Sequence, residues 1–443
     1  MYLCTKIQRM KRTKMAELIA WKESTSRKPL IIRGARQVGK TWLMKEFGKT
    51  YNQTIYINFE KNKQLRSLFI DDYNIKRVIV ALQAESGLTI NAEDTLIIFD
   101  EIQEVPEALT ALKYFQEDAP EYHIMAAGSL LGVALHSNIS FPVGKVAFVD
   151  LHPMTYIEFL EALGENSLVE LLKSEDWKLI TTFKSKYIES LKQYYFVGGM
   201  PECVLKFTEN NNFEEVRSIQ KQILDTYEQD FSKHVPNEIV PRIRMVWNSI
   251  PAQLAKENRK FIFGIIKEGS RAKDYELALS WLIDCGQVHK VCRITKPSIP
   301  LKAYEDRTSF KLFLVDIGLL SAMGDIDAKT MLEGNRIFME FKGAITEQYV
   351  LQQLSSSNEF VIYYWTGERS SSEVDFIVQF KDKVVPIEVK AEENLQAKSL
   401  KVYNEKFGPK LSIRTSMSDY RTQDWLVNLP LYGISLLADE LMS

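Results

Sequence analysis

Eight residues, Gly34-Ala35-Arg36-Gln37-Val38-Gly39-Lys40-Thr41, spell G-x-x-x-x-G-K-T, a spacing suited to holding phosphate. The glycines let successive backbone N–H groups wrap an anion, and a helix beginning at Lys40 adds the partial positive charge of its N-terminus. Lys40 is then placed to neutralise β- and γ-phosphates, with Arg36 inside the loop, while the Thr41 hydroxyl completes a Mg²⁺ shell. Further along, the apolar run TLIIFDE ends in Asp100 and Glu101. Asp100 is expected to hold Mg²⁺ through water, and Glu101 to orient or deprotonate the attacking water. Either half alone has a bland reading, a chance loop or a capped strand. Together they point to ATP and Mg²⁺ as the bound groups.

A second set lies near the C-terminus. Asp375 ends SSEVD, and Glu388 and Lys390 stand one residue apart in IEVK, which on a strand places both on one face. Glu347 sits on the preceding helical pattern ITEQYV. Three carboxylates and a lysine of this kind can hold one or two Mg²⁺ ions against a phosphodiester and activate water. The bland alternative is a charged pair on the wet face of a hairpin. VDFIV and VVPIEV are too apolar for that, and buried acids need a partner or a metal.

These residues need elements to position them. Residues 30 to 160 alternate apolar runs, PLIIRG, TIYINFE, TLIIFDE and YHIMAAGS, with amphipathic stretches, the pattern of an α/β core on a parallel sheet. From 156 the periodicity turns helical, and VGGMPECV reads as a Gly-Pro turn between helices. After Pro236, helices followed by the strand VHKVCRIT suggest a winged helix, with Lys267, Arg271 and Lys273 near the start of the helix that would meet DNA. Glu268, Asp274 and Glu276 dilute that charge, so a structural role fits equally. Beyond 305 the order is helix, three strands, helix. The expected division is 1–155, 156–235, 236–304 and 305–443.

Bulk properties fit several globular domains: 443 residues, 45% hydrophobic and 26% charged. A net charge of -2 argues neither for a nucleic-acid coat protein nor for a membrane-surface protein, leaving local patches. The basic stretch Lys6, Arg9, Lys11, Arg12 and Lys14 is read as a solvated helix face. Cys4, Cys203, Cys285 and Cys292 form no CxxC pair, no apolar run is long enough to span a bilayer, and no apolar leader region or small-residue cleavage site follows the basic opening residues. A cytoplasmic protein with no membrane partner is expected. The aromatic run Tyr194, Tyr195 and Phe196 could stack on bases, but its helical spacing favours core.

RQVGKT (Arg36–Thr41), DEIQ (Asp100–Gln103), GS (Gly128–Ser129) and GGMPE (Gly198–Glu202) together resemble an AAA+-type P-loop ATPase family of archaea and bacteria whose role is uncharacterised. The likeness extends over nearly the whole chain. It implies ATP hydrolysis, a γ-phosphate-sensing role for Ser129, and a homo-oligomer. Relatives often carry arginine where this chain has Lys145, which lacks the planar fork of an arginine finger; Arg36, Arg242, Arg244 and Arg271 are unranked substitutes. In the C-terminal segment, the order Glu347, Asp375, Glu388-x-Lys390 resembles the PD-(D/E)XK nuclease fold. That resemblance implies an α+β domain acting on nucleic acid, DNA before RNA, either by cleavage or by binding alone.

Overall fold

The computed structural model describes residues 10–70, 73–128, 142–256, 259–333, 339–367, 372–393 and 396–442. It divides into two compact units, one of Lys11–His152 with Asp284–Gly286, the other built from Pro153–Ile283 and Gln287–Ser443.

The first unit is an α/β layer structure. Five strands, β1 (Leu30–Arg33), β2 (Gln53–Asn58), β3 (Thr95–Asp100), β4 (His123–Ala127) and β5 (Ala147–Asp150), form one sheet in the order β2-β3-β4-β1-β5. Every pairing is parallel. Helices α1 (Lys14–Glu23), α2 (Lys40–Gly48), α3 (Ile75–Ser86) and α4 (Pro106–Asp118) accompany the strands. Parallel strands covered by helices must be apolar throughout, and β3 and β4 are buried at every position. The ends of the helices follow local chemistry. The Asn74 side chain accepts from the Arg77 N–H to cap α3, Gly87 stops it at φ +69°, and Pro106 opens α4.

Crossovers place β4 between β1 and β3, so the phosphate loop after β1 and the acids after β3 flank the end of a third strand. β5 was not among the strands expected from sequence. Of its four residues only Val149 is buried, so no apolar core run marks it, and it is fixed by pairing with β1 and by an Arg33–Asp150 ion pair at 2.8 Å.

The larger unit opens with helices, including α5 (Lys184–Val197), α6 (Phe213–His234) and α7 (Ala272–Asp284). Tyr194, Tyr195 and Phe196 on α5 are core, at most 2% exposed. An eight-stranded sheet follows in the order β12-β13-β11-β10-β9-β8-β6-β7. Its strands are β6 (Val288–Ile294), β7 (Glu305–Leu314), β8 (Val361–Thr366), β9 (Glu373–Phe380), β10 (Lys383–Val389), β11 (Ser412–Ser416), β12 (Arg421–Gln423) and β13 (Leu426–Pro430). The hairpin β6–β7 spans the position 304/305 and belongs to the same sheet as β8–β11.

Between these strands run α8 (Ile317–Met323), α9 (Met339–Ser356) and α10 (Lys398–Phe407). α9 then β8, β9 and β10 run antiparallel in turn, and α10 crosses to β11, which pairs with β10 in parallel. α9 is buried almost all round, polar residues included, because it packs against α8, the turn at Leu431–Leu436 and the interior strand β10. Gln348 accepts from the Leu314 N–H at 3.0 Å and donates to its carbonyl at 2.7 Å, while Gln352 accepts from Ile317 N–H at 2.9 Å.

The GGMPE turn is held by one buried carboxylate. Asp316 accepts from Gly199 N–H at 2.6 Å, from Leu319 N–H at 3.0 Å as the cap of α8, and from Gln352 Nε2 at 3.0 Å. A Cβ on Gly198 would meet Asp316 Oδ1 at 2.2 Å, and one on Gly199 would meet the Met154 carbonyl at 2.1 Å, so both glycines are required by close approach.

Candidate functional site

In the α/β unit the loop between β1 and α2 turns through Gly34 at φ +145°, Gln37 at φ +64° and Gly39 at φ +95°. A Cβ at Gly34 would meet the Leu151 carbonyl at 2.2 Å, so only glycine brings the loop this close to the end of β5. Lys40 is 7% exposed, and its ammonium donates to the Gly34 and Ala35 carbonyls at 2.9 and 2.8 Å. Burial pulls its pKa down to about 8, while Glu101 and Asp100 draw it upward and Arg36 opposes them.

Thr41, first turn of α2, donates its hydroxyl to Asp100 Oδ2 at 2.8 Å. Tyr56 on β2 donates to the same oxygen at 2.6 Å, and the Glu101 N–H reaches Oδ1 at 3.1 Å. Burial, with that bond to Asp100, pushes the Tyr56 phenol up to about 12. Glu101 itself is left-handed at φ +52°, a conformation costing a non-glycine residue about 1 kcal/mol or more and found where function imposes it. The Gln103 amide donates to Glu101 Oε2 at 2.6 Å and fixes that carboxylate.

The structure places Gly34, Arg36, Gly39, Lys40 and Thr41 in one loop and its adjoining helix start, with Asp100 and Glu101 beside them. Ser129 lies outside the described residues. Tyr56 and Arg12 were not read as site residues. Arg12 corrects the expectation of a solvated basic face: it is 7% exposed, and it donates to the Val38 carbonyl at 2.8 Å and to the His152 carbonyl at 2.5 Å. It thus braces the phosphate loop against the end of β5. Lys14 is buried as well, paired with Glu17. A guanidinium placed for two carbonyls far apart in sequence leaves no local pattern, and a basic run looked like a wet helix. Lys145 is paired with Glu117 at 2.9 Å.

In the larger unit, Glu347 on α9 and Glu388 on β10 are buried at 2% and 4% exposure, and Asp375 on β9 is half-buried. Asp375 lies beside Glu347, whose charge acts on it, and accepts from Val389 N–H at 2.8 Å. Lys390 donates to Glu388 Oε1 at 2.6 Å, whereas Glu388 Oε2 is buried with no hydrogen-bond partner. All four residues expected from sequence come together.

Two cations join them that sequence reading did not include. Lys311, on edge strand β7 and wholly buried, lies 3.4 Å from Glu347 Oε2 and 2.5 Å from Glu373 Oε1. The Arg259 guanidinium bonds Glu347 Oε1. Burial would lower Lys311, but Glu347, Glu373 and Asp375 outweigh it and hold the ammonium well above its usual range. Burial would raise Glu347, yet Arg259 and Lys311 hold it below the usual carboxylate range. Burial, then Glu347, pushes Asp375 well up, with Lys311 opposing; burial also raises Glu388 against Lys390. Among the described residues, no group of three or more His, Cys, Asp and Glu side chains is disposed as a ready metal-ligand set. A lone lysine inside the apolar FKLFLV carries no motif or spacing, and only the fold brings Lys311 to Glu347.

Residues 26–160 match the AAA domain family, and residues 188–330 and 342–432 match two domains of unknown function, DUF8612 and DUF4143. The chain thus carries a P-loop ATPase domain of the AAA+ type, an α/β fold on a parallel sheet. A Walker-type ATPase of Pyrococcus abyssi is similar at 15% identity over 71% of this chain and 96% of that one, with a TM-score of 0.44. The Aeropyrum pernix ORC1 protein, solved in complex with DNA, is similar at 14% identity over 71% and 92%, TM-score 0.30. Both likenesses are too distant to carry function. No curated protein matches the chain. No helix among the described residues is long and apolar enough to cross a membrane.

Proposed function

We propose that this chain hydrolyses Mg²⁺-ATP at the loop of Gly34 to Thr41 and uses the cycle to govern the carboxylate site of its larger unit, which acts on nucleic acid, DNA in preference to RNA. The observation that carries the first part is the 2.8 Å hydrogen bond from Thr41 to Asp100, which joins the phosphate loop to the acidic strand end with Lys40 and Glu101 beside it. The donor set fits the expected group: one hydroxyl and one carboxylate for Mg²⁺, an ammonium for the phosphates. Bound Mg²⁺ would neutralise charge on the β- and γ-phosphates. Lys40 exchanges its two carbonyl partners for phosphate oxygens. Glu101, held by Gln103, accepts the proton of the attacking water.

The second part is supported by the helix-strand-strand-strand-helix-strand order of α9 to β11 and by the meeting of Glu347, Asp375, Glu388 and Lys390. The unpartnered Oε2 of buried Glu388 fits a cation there. Asp375 and Glu388 would hold a divalent ion, whose chemistry is to polarise a phosphodiester, and Lys390 would orient water. The exposed cations Lys267, Arg271 and Lys273, just before and in the first turn of α7, suit phosphate contacts of a winged helix.

One observation favours a second reading, in which the larger unit binds a protein or nucleic-acid partner without cutting it and the ATPase acts as a switch. Lys311 and Arg259 already neutralise Glu347 and Glu373. The test is a Mg²⁺-dependent cleavage assay on single- and double-stranded DNA and RNA, with and without ATP. Cleavage lost in Glu388→Ala and Lys390→Ala, and altered in Lys40→Ala, is expected. Intact ATP hydrolysis with no cleavage of any substrate selects the switch.

A further inference from the structure

The carboxylate site of the larger unit contains more acid than a nuclease motif requires, and more base. Glu347, Glu373, Asp375 and Glu388 are met by Lys311, Arg259 and Lys390. The cations divide by element. Lys390 serves Glu388 from the same strand, whereas Lys311 reaches in from β7 and Arg259 from the chain before it, and both converge on Glu347. Arg259 fits only because residue 343 is glycine: a Cβ there would lie 2.5 Å from its guanidinium nitrogen. Gly343 stands one helical turn before Glu347 on α9, so the helix is notched where the guanidinium passes.

We infer that Lys311 and Arg259 are resident counter-ions of Glu347 and Glu373, so that the site takes one divalent cation, at Asp375 and Glu388, and Glu347 is not among its ligands. This rests on the carboxylate-site reading proposed above. Both oxygens of Glu347 are committed, Oε1 to Arg259 and Oε2 to Lys311, whereas Glu388 keeps a buried oxygen unpartnered. A second divalent ion would have to enter beside a wholly buried ammonium. Close cations in a low-dielectric site repel by far more than in water, and breaking the Glu347 pairs would strand two buried charges. Lys311 is accordingly a positioning residue: from β7 it holds Glu347 and Glu373 in place beside Asp375.

The test counts Mn²⁺ bound to the full-length chain without nucleotide by electron paramagnetic resonance, in a Thr41→Ala background so that the ATP site does not contribute. One ion per chain is expected. Glu388→Gln should weaken it at least about tenfold, and Glu347→Gln by less than about threefold, because only the former removes a ligand. Two ions, or equal losses in the two variants, would overturn the inference while leaving a metal site in place. No Mn²⁺ in the parent would overturn it together with the nuclease reading, a result distinct from the former. Should Glu347→Gln fail to fold by circular dichroism, the Glu347→Gln/Lys311→Gln pair, which removes a charge of each sign, gives the same comparison.

Discussion

At the scale of single residues, the ATP site separates binding from chemistry. Lys40→Ala should abolish detectable ATP binding, read by fluorescent-nucleotide titration. Glu101→Gln should keep binding and slow hydrolysis by about 10²–10⁴, the usual contribution of a general base. Arg12 offers a sharper check because nothing in its sequence context marks it. Arg12→Ala leaves the Val38 and His152 carbonyls without their donor, and should cost the α/β unit about 1–3 kcal/mol and loosen ATP binding, measured by thermal melts and titration. Glycines, lysine, threonine and the acid pair were legible because their chemistry is written into neighbouring positions. Arg12, Tyr56 and Lys311 were not, since each acts through partners that only the fold brings near.

Among the elements, β4 carries a titratable group into the core. His123 is 6% exposed, its Nδ1 lies 2.6 Å from the Tyr51 hydroxyl, and the Trp21 ring meets it edge-on. Burial, with Arg27 and Lys22 nearby, lowers its pKa from 6.5 to about 4. The folded state therefore stays neutral where the unfolded chain takes up a proton, and stability is complete above about 6.5 and is lost as pH falls toward about 4. The Tm of the α/β unit should decline across that window, and His123→Gln should flatten the decline. α8 gives a second case: Asp316→Ala removes the partner of Gly199, Leu319 and Gln352 at once and should destabilise the larger unit by about 3 kcal/mol or more, seen in denaturant melts. The apolar strands β1 to β4 and helices α2 to α4 could be read from period and length. β5 and β11–β13 could not: β5 buries only Val149, and SIRTS, RTQ and LVNLP carry polar residues that break any apolar run, so pairing rather than pattern sets them.

For the whole molecule, two units with separate cores should unfold separately. Calorimetry is expected to show two transitions, and Mg²⁺-ATP at a hundredfold excess over its Kd should stabilise the α/β unit by about 2.7 kcal/mol while leaving the other unmoved; Lys40→Ala should erase that shift. The strand order carries a consequence for how the chain is made. Emerging from the ribosome N-terminus first, it has all five strands of the nucleotide sheet once Asp150 is clear. β6 and β7 can then pair at once, but β6 also lies against β8, which begins only at Val361. Until that residue is synthesised the hairpin presents one side of β6 bare, an open edge ready to join another nascent chain. Translation of the segment between Leu314 and Val361 is thus the interval in which that edge of β6 has no strand to pair with in its own chain.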